Sequence, residues 1–593
     1  MDNFKTVLIK DARIADITSQ EVYGVLSGGA QSTQQQIAAT SASTSSLVFQ
    51  VQVPSENIVI DRNVQIQASL SVNLTISNAA AYRAQPIPQN DVVFDYGTTD
   101  AFQVFPLNSL FTTSSCTINN TNVSANTQDI FPQLTRMNSA RELYRYNSTS
   151  PSLPDSQWGV FSDATLATNN PLGGFANNSL DLDFDPRGAF PTIITVEHFN
   201  NGVLIDDSLI SLGQATETWT INVQAIVTEP LFGLSPFTWC DPEFSSQGIL
   251  GVNNMAFVFN IDAACKRLWS SANDYINTIT LVTPGCFQIC QLLFTYLSLQ
   301  PTDVVSTKNV VPYMDYPRFI SNTSVAMQPF DPTQPNNLTV TKLTSNSIQL
   351  NQVPDKMIIC ARIPMSQQTY ANTSSFLAIQ QIVCNFNNAS GLLSSATQVD
   401  LWKMSMRNGS SQNFNEFYGF ASVATAEGAG VYVPTTGAML VISPTLDFGL
   451  PNYLSAGSQG NFNFQFNLSV YNQFPDQITP ELVLICVNSG IMCTSQGVSS
   501  LYTGMLTKEL VLKTNEEKAE DPISTVEYSR LVGGKVSNMP LTALHKLYKK
   551  RHGGQSSGGV MSGGVSSGGY SASSGGAMHH SAQSVGRKRA HKM

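Results

Sequence analysis

Residues 64–76 read VQIQASLSVNLTI (Val64–Ile76), and this stretch decides the fold. Val64, Ile66, Ala68, Leu70, Val72, Leu74 and Ile76 alternate with Gln, Ser, Asn and Thr. A period of two puts every apolar side chain on one face of an extended chain, which a helix cannot do. Trp219, Ile221, Val223, Ala225 and Val227 repeat the pattern, as do Phe462, Phe464, Phe466, Leu468 and Val470. Shorter strands are predicted over Val48–Val53, Met255–Ile261, Met357–Ala361, Met439–Ile442 and Leu482–Val487. Helix is predicted only over Thr127–Met137 and Ala140–Tyr146. Many strands between Asn, Gly, Pro and Ser turns predict an all-β chain built of sandwiches.

Composition agrees. Charged residues make up 12%, about half the usual quarter, and Asn, Gln, Ser and Thr take their place. That argues against helix bundles, coiled coils and acidic disordered chains. No run of apolar residues is long enough to span a bilayer. The start, MDNFKTVLIKDARIAD, has no apolar segment behind a basic one, so no secretion signal is expected. Nine cysteines, an odd number, sit mostly in apolar strand-like runs and read as small hydrophobes made in a reducing compartment.

The strands fall into two groups, over about residues 45–228 and 250–500, each long enough for an eight-stranded jelly roll. The expected organisation is an arm over 1–44, a first jelly roll with its connector over 45–237, a second over 238–504, and a tail over 505–593. The connector is TEPLFGLSPF (Thr228–Phe237), where Pro230 and Pro236 stop the preceding strand.

Charge divides the chain as well. Beyond Glu527 there is no acidic residue but ten basic ones, so the net −10 is −20 upstream and +10 in the tail. Pro540–Arg551 (PLTALHKLYKKR) predicts a short amphipathic helix, followed by a Gly/Ser spacer expected to be disordered and by GRKRAHKM. Lys549, Lys550, Arg551, Arg587, Lys588, Arg589 and Lys592 are the candidate nucleic-acid or nuclear-import residues; a solvated tail is the plainer alternative.

Catalytic patterns are nearly absent. His198, in VEHFNNG beside a turn, is the only histidine before the tail, which removes most triad and His-metal schemes. It reads as a surface or loop residue. Cys286 and Cys290 (CFQIC) read as structural thiols on one strand face. Asp181, Asp183 and Asp185 could present three carboxylates, but without the Gly-bearing loop and distal Glu of a calcium motif. No phosphate-binding Gly loop follows a strand. No enzyme activity, cofactor or metal is expected.

Several segments, in order, resemble the major capsid proteins of virophages, polinton-like viruses and adintoviruses. They are DAFQVFPLNSLFTTSSCTINNTNVS (Asp100–Ser124), TEPLFGLSPF, GVNNMAFVFN (Gly251–Asn260), LQPTDVVSTKNVVPYMDYPRF (Leu299–Phe319), VPDKMIICAR (Val353–Arg362), the Asn408–Gly409 turn, GNFNFQFNLSVYNQ (Gly460–Gln473) and ELVLICVNSGI (Glu481–Ile491). The resemblance covers roughly residues 45–500. It implies a double jelly roll of the adenovirus-type lineage, whose homotrimers form pseudo-hexameric capsomers that tile an icosahedral shell around DNA. Two sandwiches in each of three chains give six similar edges, which suits a hexagonal lattice. Neighbouring capsomers, a penton protein and genome contact through the tail follow as implied partners. So does location in the virion, after synthesis in the host cytoplasm and assembly in the nucleus or a viral factory. The Pro/aromatic segments Leu299–Phe319 and Thr228–Phe237 read equally as trimer contacts or as packing within the subunit.

Maturation cysteine proteases of that lineage cut after Met/Ile/Leu-x-Gly-Gly. Matches end at Gly29 before Ala30, Gly534 before Lys535 and Gly564 before Val565. The expectation is trimming of residues 1–29 and release of the basic segment after Gly534; flexible Gly turns are the alternative. A tandem jelly-roll carbohydrate-binding or attachment protein is the competing function, though neither a secretion signal nor a calcium or sugar site supports it.

Overall fold

The thirteen alternating residues become the Gln65–Ser77 strand, at the middle of an eleven-stranded sheet. The computed structural model describes residues 6–9, 21–25, 31–77, 100–138, 192–200, 203–205, 217–237, 247–271, 276–298, 308–330, 338–370, 372–373, 375–424, 430–450, 454–474 and 476–504. The chain divides into two compact units, Met1–Thr514 and Asn515–Met593, and every described residue belongs to the first.

Gln65–Ser77 pairs antiparallel with Glu217–Pro230 along one edge and with Phe287–Ser298 and Ile276–Leu281 along the other. Thr192–Asn200 extends the sheet beyond Glu217–Pro230, and Gln31–Ala38 lies along Phe287–Ser298. A five-stranded sheet faces it, in the order Thr121–Ala125, Phe111–Ile118, Asn254–Ile261, Ser46–Gln52, Ser41–Ala42. The inward side chains of both sheets, among them Phe49, Leu70, Trp219, Phe257 and Phe294, make one apolar core.

The second sandwich sets Gln459–Tyr471, flanked by Ala378–Phe386, Thr341–Thr344 and Ile348–Gln352, against Lys356–Arg362, Leu440–Ile442 and Glu481–Ser495. Phe462, Phe464, Phe466, Leu468 and Val470 point into its core, as their alternation requires. The Gln398–Arg407 helix adds Leu401 to that core and carries a capping box between Thr397 and Asp400. The architecture is a double jelly roll.

The strands place the division between the two sandwiches elsewhere than at residue 237. Asn254–Ile261 sits between Ser46–Gln52 and Phe111–Ile118, and Phe287–Ser298 pairs with Gln65–Ser77. The first sandwich therefore runs through Ser298, and the second begins after it. The five described strands between Gln247 and Ser298, which the turn-counting reading assigned forward, belong to the first sandwich instead, because their partners lie far back in the chain, among strands that end by residue 118. The arm is likewise no separate element, since Gln31–Ala38 is laddered to Phe287–Ser298 and Glu21–Val25, itself paired with Thr6–Ile9, is laddered to Gln247–Ile249 in the same sheet. The first sandwich thus exceeds eight strands. The connector Thr228–Phe237 continues a strand and is buried throughout, with Leu231, Leu234 and Phe237 in the first core. It packs within the subunit and is not a trimer contact.

Candidate assembly surfaces and the junction that sets them

Surfaces that meet other copies must keep a fixed mutual geometry, which depends on how the two sandwiches are joined. The strand sequences KMIICAR (Lys356–Arg362) and ELVLIC (Glu481–Cys486) do not alternate, and the structure shows why. Met357, Ile359, Leu482 and Leu484 face the second core, while Ile358, Cys360, Val483 and Ile485 face outward into a third apolar cluster. Two-sided burial requires apolar residues at every position. The first sandwich supplies Phe105, Ile130, Phe131, Leu134 and Phe232 to that cluster. Phe232 meets Phe105 and Phe131 edge-on, with ring centroids 4.5 and 5.2 Å apart, a favoured geometry for aromatic pairs.

Charge fixes the register. Asp129, in the first turn of the Thr127–Thr135 helix, accepts from Arg362 Nη2 at 2.6 Å and from Arg318 Nη1 at 2.8 Å. Arg362 Nε donates to Glu481 at 2.6 Å. Arg362, Asp129 and Glu481 are all buried. Burial alone would lower the Arg362 pKa, but the Asp129 and Glu481 carboxylates beside it outweigh this and hold it above its ordinary value. Arg136 donates to Pro132 O and lies over the Phe376 ring, 5.4 Å from its centroid. Burial pushes it down to about 10.

A third buried carboxylate anchors the five-residue Pro106–Leu110 helix. Glu229 accepts from Leu107 N at 2.8 Å and from Asn108 N and Nδ2 at 2.9 and 2.8 Å. Burial pushes its pKa up to about 7, against those donors. Glu229 thereby fixes Phe105 and Phe232, which lie beside the two ends of this contact.

One strand belongs to both sandwiches. Glu481–Ser495 spans fifteen residues. Its first half pairs with Lys356–Arg362 and Arg318–Asn322; its second half pairs with Asn309–Asp315 and Val498–Thr503 and carries Met492 into the first core. At Gly490 a Cβ would stand 2.3 Å from Tyr502 O, so only glycine admits the hairpin partner there. Thr494 Oγ1 donates to Leu250 O at 2.5 Å, and Ser499 Oγ to Ile118 O at 2.6 Å. In the described part of Leu299–Phe319, Val310, Val311 and Tyr313 are buried against this strand and pack internally, while Met314–Phe319 are half-buried.

The other predicted site residues fare unevenly. Gly29, Ala30, Gly534, Lys535, Gly564, Val565, the seven basic tail residues, Asp181, Asp183, Asp185 and Ala140–Tyr146 lie outside the described residues. His198 lies within the Thr192–Asn200 strand opposite Trp219 and Ile205, not in a loop. Cys286 precedes the Phe287–Ser298 strand and is buried; Cys290 lies within it, past a bulge, so the two do not share a regular strand face. Burial pushes the Cys290 thiol up to about 12. Among the described residues, no group of three or more His, Cys, Asp or Glu could hold a metal, and no helix is long and apolar enough to cross a membrane. The junction residues Asp129, Glu229, Arg362 and Glu481 escaped the sequence reading. Their signal was a single charge inside an otherwise apolar run.

Comparison with known proteins agrees with this geometry. Residues 2–297 match the family model for the Sputnik virophage major capsid protein first domain, and residues 316–490 match that for the major capsid protein V20 C-terminal domain. The gap between the matches falls where the strands divide the sandwiches. The "Putative capsid protein V20" of Sputnik virophage is 25% identical over 547 residues, covering 89% of this chain and 84% of that protein. The cryo-EM structure of the Sputnik virophage contains a chain that superposes with a TM-score of 0.67 at 22% identity, over 89% of this chain and 98% of that one. The mavirus major capsid protein gives 0.61 at 13% identity, over 83% and 93%. At these identities the two structures speak for the fold.

Proposed function

The chain belongs to the Sputnik virophage family of major capsid proteins, and on that premise we propose that three copies form one pseudo-hexameric capsomer of an icosahedral shell around DNA. The observation that carries this reading is the junction. Two sandwiches locked by a buried ion network, an aromatic cluster and a shared strand make one rigid block with two similar ends, and three such blocks supply six edges. The role is structural and uses no catalytic group. A penton protein would fill the five-fold positions that a six-edged unit cannot, and the tail would contact the genome.

Light scattering after size exclusion tests the trimer. With a chain of 64.2 kDa, a species near 3 × 64.2 ≈ 193 kDa is expected; a stable monomer overturns it. The Gly29–Ala30, Gly534–Lys535 and Gly564–Val565 sites belong to the same proposal, as cuts made by a maturation cysteine protease. Intact-mass analysis of protein from mature particles should show chains beginning at Ala30 or ending at Gly534. A single full-length 64.2 kDa species rules processing out.

A further inference from the structure

Each sandwich carries one large sheet whose outward side chains are almost all uncharged amides, hydroxyls and scattered aliphatics. In the first sandwich the strands Gln31–Ala38, Gln65–Ser77, Ile276–Leu281 and Phe287–Ser298 contain no Asp, Glu, Lys, Arg or His; of the two further strands that share this face, Thr192–Asn200 contains Glu197 and His198, and Glu217–Pro230 contains Glu217 and the buried Glu229. The amides run in ladders across the strands. Gln291 donates to Gln67 at 2.7 Å and Gln67 to Thr228 at 3.0 Å; Gln224 donates to Asn222 at 3.1 Å and Asn222 to Asn73 at 2.8 Å. Ile226 stands out of this face at 46% exposure and Ile193 at 67%. In the second sandwich, Ile348–Gln352, Ala378–Phe386, Ala389–Leu392 and Gln459–Tyr471 are equally free of charge. Their outward residues include Gln349, Asn385, Asn463 and Gln465, with Val383 among them; Lys342, at one edge strand, is the sheet's single charge.

We propose that these two faces are where the protein meets copies of itself in neighbouring capsomers, an inference that rests on the trimer reading above. Within a trimer each contact joins the same two unlike surfaces every time, so complementary charges would serve. Between pseudo-hexameric capsomers the pairing is mixed: first sandwich against first, first against second, second against second. A charged face suited to one of these pairings repels itself in another. An amide both donates and accepts, so an amide face accepts either sandwich in more than one register. The same amides keep the free capsomer wet, where an aliphatic sheet face of this size would aggregate.

Hydroxyl-radical footprinting of intact particles against capsomers released from them tests this. Oxidation of Ile226 and Val383 should fall at least about five-fold in the particle, as expected for side chains moved into a contact that excludes water. Equal labelling in both states overturns the proposal, as does protection already complete in the released capsomer. The double variant Gln67→Glu/Gln224→Glu gives a second reading: capsomer mass unchanged, particle yield down about ten-fold at low salt and recovering near 1 M salt as screening shortens the repulsion. Normal particle yield from that variant also overturns it. Released units of one chain, rather than three, overturn the trimer reading instead.

Discussion

The face between the two sandwiches and the face each turns outward are both sheet surfaces, yet they are built from opposite materials. At the junction, Arg362 lies buried between Asp129 and Glu481, amid Phe105, Phe131 and Phe232. On the outward sheets, Gln67, Asn222, Gln224 and Gln291 hydrogen-bond one another half in water. A buried ion network has one satisfied arrangement and a high penalty for any other, so it fixes a relation that never changes. An amide ladder has many arrangements of similar energy. Rigidity sits inside the chain and tolerance outside it.

Under substitution the junction should fail hard and the outward face should barely respond. Arg362→Met strands the buried Glu481 carboxylate and leaves Asp129 with only the half-buried Arg318, and should cost about 3–5 kcal/mol in chemical denaturation. Adding Asp129→Leu and Glu481→Leu to it should recover most of that loss. Failure to recover would mean that the network matters for more than its own charges. Phe131→Ala removes a ring from the aromatic cluster and should cost about 3–4 kcal/mol by the same measurement.

Glu229 sharpens the comparison through pH. Its pKa in the folded chain is about 7 against an ordinary 4.5, so the folded state binds the proton more tightly than the unfolded one. Its contribution is therefore fully present below pH 4.5 and is lost as the pH rises through 7. Wild type should gain stability relative to Glu229→Gln as the pH falls across that window, read as the difference between their denaturation midpoints. A constant difference would place the titration elsewhere. The smallest effect belongs to the outward face: Asn222→Ala breaks a ladder that water can replace and should cost under about 1 kcal/mol.

Much of the fold was legible in the sequence because one-sided burial writes itself as alternation. Gln65–Ser77, Glu217–Pro230 and Gln459–Tyr471 are all found where the period of two placed them. The division between the sandwiches was not, because strand order in a jelly roll is set by partners far apart in the chain. Nothing local in GVNNMAFVFN says that it closes a sheet begun at Ser46. The junction was half legible. The unbroken apolar runs at Lys356–Arg362 and Leu482–Cys486 already demanded two-sided burial, and the charges Arg362 and Glu481 stood at their ends. Which carboxylate would meet which guanidinium depended on Asp129, more than two hundred residues away. The Gln398–Arg407 helix was missed because Thr397 and Asp400 mark its start only to a reader already looking for a cap.

The Glu481–Ser495 strand also makes the chain a mechanical part. Tension in the plane of a shell would draw the two sandwiches apart, and such a pull would run along this strand. Its ladder bonds lie across the direction of pull on both halves. They are therefore loaded together, in shear, rather than opened one after another like a zip. Each half would have to slide past its neighbours before either sandwich came free, so the strand works as a tie rod between them.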